Sequence, residues 1–338
     1  MTDIYKIETE EDGKKWDRLI MNISCKKASP KEEFDFYIKK SFIDGAPYLP
    51  ELFLDRDNPH NFGYYCSKHE KFYDRYLSLS LNIETKLSEE IRNCYINGNG
   101  NEFSTGKYYS VASSSRFATA CFSKNNGRTI SFIDKIKIDG KEYDICNITF
   151  EKSLNVVTKN DDRNIISYPQ MDVVLETHSD IYYFEVKCHE IFDNHKNIKL
   201  KWQYKESADL EKILPCINET KPLIKTENKK QVEYIGRNQE FLNAKDFELE
   251  LKTYHFDFKQ FICHLMGINN EIRNNKNGKK IHFYYLFYKN EHFEKIYDEL
   301  ENELNLIFNH FSKKFPNIEL GYLFHNKFDT LNNLEPIK

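Results

Sequence analysis

The sequence predicts a mixed α/β fold: a central β-sheet flanked by helices, behind a mostly helical N-terminal region over residues 1–100. Three observations carry this. From residue 111 onward, segments of strand character interleave with segments of helical periodicity, an order that favours a mixed sheet covered on both faces. The run Ile281 to Tyr288, IHFYYLFY, is continuously apolar, as a strand buried on both faces requires. The stretch Tyr168 to Glu190, YPQMDVVLETHSDIYYFEVKCHE, reads as two strands joined by a turn.

Taken in order, Pro30 to Ser41 opens with a proline that suits a helix start. Gly45 to Pro50 is a break, and residues 55 to 63, DRDNPHNFG, have loop chemistry. Lys68 to Leu81 and Glu84 to Tyr95 are two further helix candidates. The run NGNGNEFSTG at 97–106 marks the boundary between the N-terminal region and a second domain over 101–338. Val111 to Ser123, VASSSRFATACFS, is a short helix of small residues able to pack close to a sheet. Strands follow at Thr129 to Ile138 and Tyr143 to Val157, with turns at Gly140 and Asn160 to Arg163. After Glu190 the chain turns polar, and residues 193–250 read as an insertion or cap. Phe256 to Ile268 has Phe258, Phe261, Ile262, Leu265 and Met266 on one side of a helix. Glu291 to Lys313 carries Phe293, Ile296, Tyr297, Leu300, Leu304, Ile307, Phe308 and Phe311 at helical intervals. Ile318 to Phe324 is a final strand.

Composition narrows the function classes. The chain has 338 residues, enough for a sizeable core. Charged residues make up 30% and hydrophobic residues 40%, which places it with soluble globular proteins. No apolar run reaches the length of a membrane-spanning helix, and the polar start, MTDIYKIETEEDGKKW, has no signal-peptide core. The eight cysteines lie far apart with no CxxC pair, which argues against a zinc ribbon and for reduced thiols in the cytoplasm. A net charge of −4 leaves nucleic acid open as a partner, because a local basic surface suffices to hold phosphates.

The stretch 168–190 carries the chemistry. Side chains alternate along a strand, so Glu185 and Lys187 share one face, while Phe184, Val186 and Cys188 share the other. Charges on a strand that otherwise looks buried are costly without partners or a metal. Opposed residues in an antiparallel hairpin point to one face. A turn centred on His178 and Ser179 sets Asp172 opposite Glu185, and a turn centred on Asp161 and Asp162 sets Glu151 opposite Asp172. Three carboxylates on neighbouring strands, with Cα atoms roughly 4.5–5.5 Å apart, are close enough to share a divalent ion. Pro169 starts the Asp172 strand, since proline within a ladder would break it.

These residues resemble the PD-(D/E)XK nuclease superfamily, the restriction-endonuclease-like fold. Its core of helix, three-stranded meander, helix and strand follows the order of elements here. Asp172 matches the family's first acid, and Glu185-Val186-Lys187 matches its (D/E)-x-K. The family's proline adjoins the first acid, whereas Pro169 stands three residues before Asp172. SSSRFATACF, ITFEKSL, QMDVVLE and YFEVKCHE are most similar to a branch of bacterial restriction endonucleases, over roughly residues 105 to 290. The resemblance implies a Mg²⁺-dependent endonuclease acting on DNA, of the restriction or defence type, with Mn²⁺ able to substitute. Asp172, Glu185 and the Val186 backbone carbonyl would hold the metal, with Glu151 as an additional acid and Glu190 close by. Lys187 would position the attacking water. DNA is the implied partner, and cutting both strands favours a two-fold homodimer. The alternatives are an inactive nucleic-acid-binding protein of the same fold, or a nuclease for RNA or for branched or single-stranded DNA.

Blander readings apply to the other polar residues. An exposed Glu185–Lys187 pair would be worth under about 1 kcal/mol, and Glu151 has an ordinary solvated strand position as its rival role. His189 and His195 lack companions at ligand spacing. His264, on a helix flank, suits packing or a phosphate contact better than base catalysis. Lys259 and Gln260 point off the apolar face, toward a DNA backbone if one is bound. Lys196, Lys199, Lys201 and Lys205, interleaved with Trp202 and Tyr204, read as a solvated face or as a phosphate-tracking surface. Arg116 and Ser113 to Ser115 fit substrate contact or helix packing.

Overall fold

The computed structural model describes residues 86–98, 102–103, 108, 113–157, 165–192, 253–274, 278–327, 330–331 and 333–338. It also gives the backbone of 50–54, 62–66, 198–200 and 247–249, and isolated positions at 29–31, 33, 207, 209–210, 212–213 and 216. The helix expected at Lys68 to Leu81 lies outside these residues, as does most of the insertion.

The described part is α/β, and a seven-stranded mixed sheet organises it. In the N-terminal region, strands β1 (Pro50–Leu54) and β2 (Phe62–Cys66) pair antiparallel. Helix α1 (Glu89–Asn97) begins at Ser88, whose side chain accepts the Ile91 N–H. The β1–β2 hairpin differs from the expected helical character of residues 1–100. Of the segment expected as loop at 55–63, Phe62 and Gly63 belong to β2, and the rest lies outside the described residues.

Helix α2 (Ser114–Phe122) leads into a small hairpin of β3 (Ser123–Asn125) and β4 (Ile130–Phe132). The single strand expected over 129–138 is thus two pieces, β4 and β5 (Lys135–Ile138), in different sheets. Then come β6 (Lys141–Ser153), β7 (Val156–Val157), β8 (Ile165–Ser167), β9 (Gln170–Thr177) and β10 (Asp180–Lys187). Strands β11 (Ile198–Leu200) and β12 (Phe247–Leu249) pair antiparallel and close the base of the insertion. Helix α3 (Phe258–Asn274), β13 (Lys280–Tyr288), α4 (Glu294–Lys314), β14 (Ile318–His325) and β15 (Asn333–Leu334) complete the order.

The large sheet runs β14-β13-β10-β9-β6-β5-β15. Its β5, β6, β9 and β10 form an antiparallel meander, and β13 and β14 add in parallel. A parallel strand needs a crossover, and α3 and α4 supply it. One face of the sheet packs on α1 and α2, where Phe184 meets Phe122 and Phe150 meets Tyr95. The opposite face packs on α3 and α4, where Phe283 stacks on Phe261 and Tyr285 meets Phe308. With both faces covered, β13 is buried along almost its whole length, which is why its sequence does not alternate.

Two boundaries shift. The glycine-rich run at 97–106 does not separate α1 from the sheet. Leu87, Ile91 and Tyr95 belong to the same hydrophobic core as β6 and β9, and the Tyr95 hydroxyl donates to Ser115 O at 2.7 Å. Part of the polar insertion also enters the core: Leu210, Ile213 and Cys216 are buried, and Asp209 accepts from Asn269 and pairs with Arg273 on α3.

Candidate active site

The β9–β10 hairpin builds the site. Its pairs run from Ile181 with Glu176 to Phe184 with Val173. Continued by one rung, this register sets Asp172 opposite Glu185, as the short turn at 178–179 requires. The side chain of Asp172 then takes over from the ladder: its Oδ2 accepts the Val186 N–H at 2.7 Å. Pro169 stands just before β9, where its missing N–H is not needed, and its carbonyl accepts the Leu154 N–H at 2.8 Å.

Glu185 is completely buried, with 0% exposure. Its Oε1 accepts from Lys187 Nζ at 2.6 Å, and the Lys187 side chain is 12% exposed. Helix α3 lays His264 over the same carboxylate, with Nδ1 at 3.2 Å from Oε2. That contact lacks hydrogen-bond alignment, so both buried atoms are left without a hydrogen-bond partner. Parallel pairing of β10 with β13 places Tyr285 beside Glu185.

The electrostatics follow from burial. Asp172 is pushed well above the usual carboxylate range by desolvation, and next by the charge of Glu185; Lys187 and the Val186 N–H oppose the rise. Burial raises Glu185 to about 7, with Lys187 pulling the other way. For Lys187, burial would favour the neutral amine, but Glu185, Glu190 and Asp172 outweigh it and hold the ammonium protonated. His264 is lowered to about 3, by burial and then by the Lys187 charge, and is therefore a neutral imidazole. The arrangement is two destabilised carboxylates and one firmly charged lysine.

Lys187 opens onto a cavity of about 220 Å³, lined also by Glu190, Asp257, Gln260 and Tyr285. Glu190 Oε2 accepts the Cys188 N–H at 2.7 Å, which fixes the chain just beyond the strand. Asp257 precedes α3 and accepts the Gln260 N–H at 3.0 Å, capping the helix. The turn before α3 is held by Glu303 of α4, a buried carboxylate that accepts three successive backbone N–H groups, from Tyr254, His255 and Phe256, at 2.6, 3.0 and 3.1 Å.

Glu151 stands differently from its expected role. The β6–β9 register does carry it opposite Asp172, between the pairs Phe150 with Val173 and Lys152 with Met171. Its φ of 53°, however, interrupts the strand's alternation. Phe150 packs on Tyr95, and Glu151 sits over Gly98, so consecutive side chains both meet α1 and its end. Lys152 instead pairs with Glu271 of α3 at 3.5 Å. The charge of Glu151 acts on Cys94 and, together with that of Asp172, on Tyr95, while the Asp172 carboxyl itself is governed first by burial and then by Glu185 and Lys187. The structure thus brings together Asp172, Glu185 and Lys187, with the Glu151 side chain over Gly98.

The remaining candidates fall out by position. Ser113 caps α2 by accepting the Arg116 N–H at 3.2 Å, and Ser115 and Arg116 are buried, so packing accounts for the serines. His189 serves the turn after β10, where its carbonyl accepts the Phe192 N–H. Lys259 is exposed on α3. His195, Lys196, Lys201, Trp202, Tyr204 and Lys205 lie outside the described residues, and Lys199 is placed only by its backbone in β11. The sequence does not single out Asp257 or Tyr285, and His264 is buried against Glu185, as a packing role expects. The available signals were an acid in the first turn of the helix expected over Phe256 to Ile268 and a tyrosine within an apolar strand, both weak alone.

Among the described residues, no cluster of three or more His, Cys, Asp or Glu side chains converges as a metal cage. Mg²⁺ does not require one, because it takes one or two carboxylates and completes its shell with waters and substrate oxygens. Asp172 and Glu185 fit that demand in donor chemistry, in mutual repulsion and in the unpartnered Glu185 Oε2. No helix of the described residues is long and apolar enough to cross a membrane. No family model matches the chain, and neither a curated protein nor a solved structure does.

Proposed function

We propose that this chain is a Mg²⁺-dependent endonuclease of the PD-(D/E)XK type that hydrolyses phosphodiester bonds of DNA, in a restriction or defence role. One observation carries the reading: two buried carboxylates on adjacent strands repel one another beside a protonated lysine at the mouth of a cavity. Burying like charges together costs stability unless another charge compensates them. A divalent cation held by Asp172 and Glu185 would supply that compensation, with the Val186 carbonyl as the further oxygen that the family resemblance implies. Mn²⁺, of similar ligand preference, would substitute. Glu151, seated over Gly98, is left out of the proposed ligand set.

Mg²⁺ held by Asp172 and Glu185 would polarise a phosphoryl oxygen and lower the pKa of its water. The chain's own residues do the rest. Glu185 Oε1 holds the Lys187 ammonium in place at 2.6 Å. Because that ammonium stays protonated, Lys187 donates: it orients the attacking water and offsets negative charge growing on the phosphate. The Asp172 carboxylate is locked to the Val186 N–H, so both acids are aimed before substrate arrives. A homodimer acting on both strands is the assembly this activity favours.

The test is incubation of supercoiled plasmid with the protein in Mg²⁺ and in EDTA. Nicking or linearisation in Mg²⁺ alone is expected, and its loss in Asp172→Ala. Tight binding of DNA with no cutting of DNA or RNA would point to an inactive nucleic-acid-binding module instead. Cutting of RNA or of single-stranded or branched DNA alone would keep the chemistry and change the substrate.

A further inference from the structure

We infer that Asp257 is a further catalytic residue of the proposed site: its Oδ2 accepts the proton that the attacking water gives up. This rests on the nuclease reading above. Hydrolysis needs such an acceptor, because a water that bonds to phosphorus must lose a proton. Lys187 does not serve, since its ammonium already holds three protons, one of them on Glu185 Oε1. Asp172 and Glu185 are taken up by the metal in that reading. Among the other side chains that line the cavity, Tyr285 keeps its own proton, through burial and then the charge of Glu185. His255 spends both ring nitrogens, Nδ1 on Ile191 O at 2.9 Å and Nε2 on Glu299 at 3.1 Å. Gln260 carries an amide, which is no base. Glu190 and Asp257 remain. Against burial, Glu185 and then Glu190 hold the Lys187 charge, so Glu190 faces the ammonium itself. Asp257 stands on the α3 wall of the cavity.

The turn that carries Asp257 is built to hold it still. Glu303 pins the three backbone N–H groups just before it, and the Phe256 ring meets Tyr285 at 4.9 Å and Phe308 at 5.9 Å. The Gln260 N–H fixes Asp257 Oδ1 at 3.0 Å, which leaves Oδ2 without a partner among the described residues. Asp257 is half-buried, and Oδ2 is not sealed in protein, so cavity water reaches it. Lys187 pairs with Glu185 and not with Asp257, so water fills the space between the ammonium and the Asp257 carboxylate. About 220 Å³ holds several waters at roughly 30 Å³ each. A water there accepts one N–H from Lys187 and donates one O–H to Asp257, which leaves a lone pair for phosphorus. In the step, the water oxygen bonds to phosphorus while its proton passes to Asp257 Oδ2. The bond from phosphorus to the leaving sugar oxygen breaks, and that oxygen takes a proton from solvent.

The experiment compares wild type, Asp172→Ala, Glu190→Gln and Asp257→Asn on a labelled DNA duplex in Mg²⁺, with Mg²⁺ affinity by calorimetry and melting temperature measured alongside. Asparagine caps a helix as well as aspartate does, but it accepts no proton. Asp257→Asn is therefore expected to lower kcat about a hundredfold or more, with KM, Mg²⁺ affinity and melting temperature at wild-type values. A residue that only caps α3 would not produce that split. A wild-type kcat overturns the assignment. Weakened Mg²⁺ binding also overturns it, by making Asp257 a metal ligand, as does a raised KM at unchanged kcat, which would mean a substrate contact. Loss of cutting in Glu190→Gln with normal cutting by Asp257→Asn overturns it in favour of Glu190 as the acceptor. If wild type cuts, Asp172→Ala does not and Asp257→Asn cuts normally, only the Asp257 assignment falls. If wild type cuts no nucleic acid, the nuclease reading falls and this inference with it.

Discussion

Replacing Glu185 by Gln keeps the shape of a fully buried side chain and removes its charge. Burial raises the wild-type carboxyl from 4.5 to about 7, against the pull of Lys187. Between those values the folded protein keeps a proton that the unfolded chain has already released. Stability from this group is therefore complete below about pH 4.5 and is lost as the pH climbs through about 7. At 1.36 kcal/mol per pKa unit, the loss amounts to roughly 3 kcal/mol. Glu185→Gln cannot titrate, so relative to wild type it should gain about 3 kcal/mol between about pH 5 and about pH 8. Relief of Asp172, whose carboxyl Glu185 also raises, acts in the same direction. Urea unfolding of both proteins in EDTA at the two pH values measures this difference. Mg²⁺ at about 100 times its Kd should then return about 2.7 kcal/mol to wild type and little to the variant. A difference between the two proteins that stays flat across this pH range would refute the reasoning.

Two further substitutions probe the scaffold. Gly98→Ala would bring a Cβ within 2.6 Å of Glu151 Cβ. It should destabilise by about 1–3 kcal/mol in denaturant unfolding. Adding Glu151→Gly should recover most of that loss, because glycine removes the clash and suits the φ of 53°. Glu303→Ala strips the acceptor from three backbone N–H groups at 254–256. It should cost about 2–4 kcal/mol and speed hydrogen exchange at those amides, loosening the turn that carries Asp257.

What was legible in the sequence was local. The two-residue turn at 178–179 fixes the β9–β10 register, so Asp172 opposite Glu185 follows from counting. Strand alternation sets Lys187 on the face of Glu185, and the structure joins them at 2.6 Å. The β6–β9 register also matches the counting, although β7 and β8 intervene with a register shift, but the direction of Glu151 was not readable. One residue in the left-handed region turns its side chain toward Gly98, and no spacing rule announces it.

What was hidden is non-local. Tyr285 and His264 reach Glu185 only because α3 crosses the sheet and β13 returns parallel to β10. Within IHFYYLFY, a tyrosine that lines a cavity looks like any other core aromatic. Glu303 sits among apolar positions of an amphipathic helix and reads as a surface acid, yet it is buried because the 253–257 turn supplies it with backbone donors. The glycine-rich run at 97–106 looked like a boundary on composition alone. The core that α1 shares with the sheet depends on Tyr95 reaching Ser115 and Phe150 across the chain.

The most direct measurement is the cleavage rate of a DNA duplex in Mg²⁺ for wild type, Lys187→Ala and Asp172→Ala, each first shown to be folded by its unfolding transition. Metal-dependent cutting by wild type, lost in both variants, is the predicted result. Metal-dependent cutting that survives both substitutions would contradict the assignment of this site.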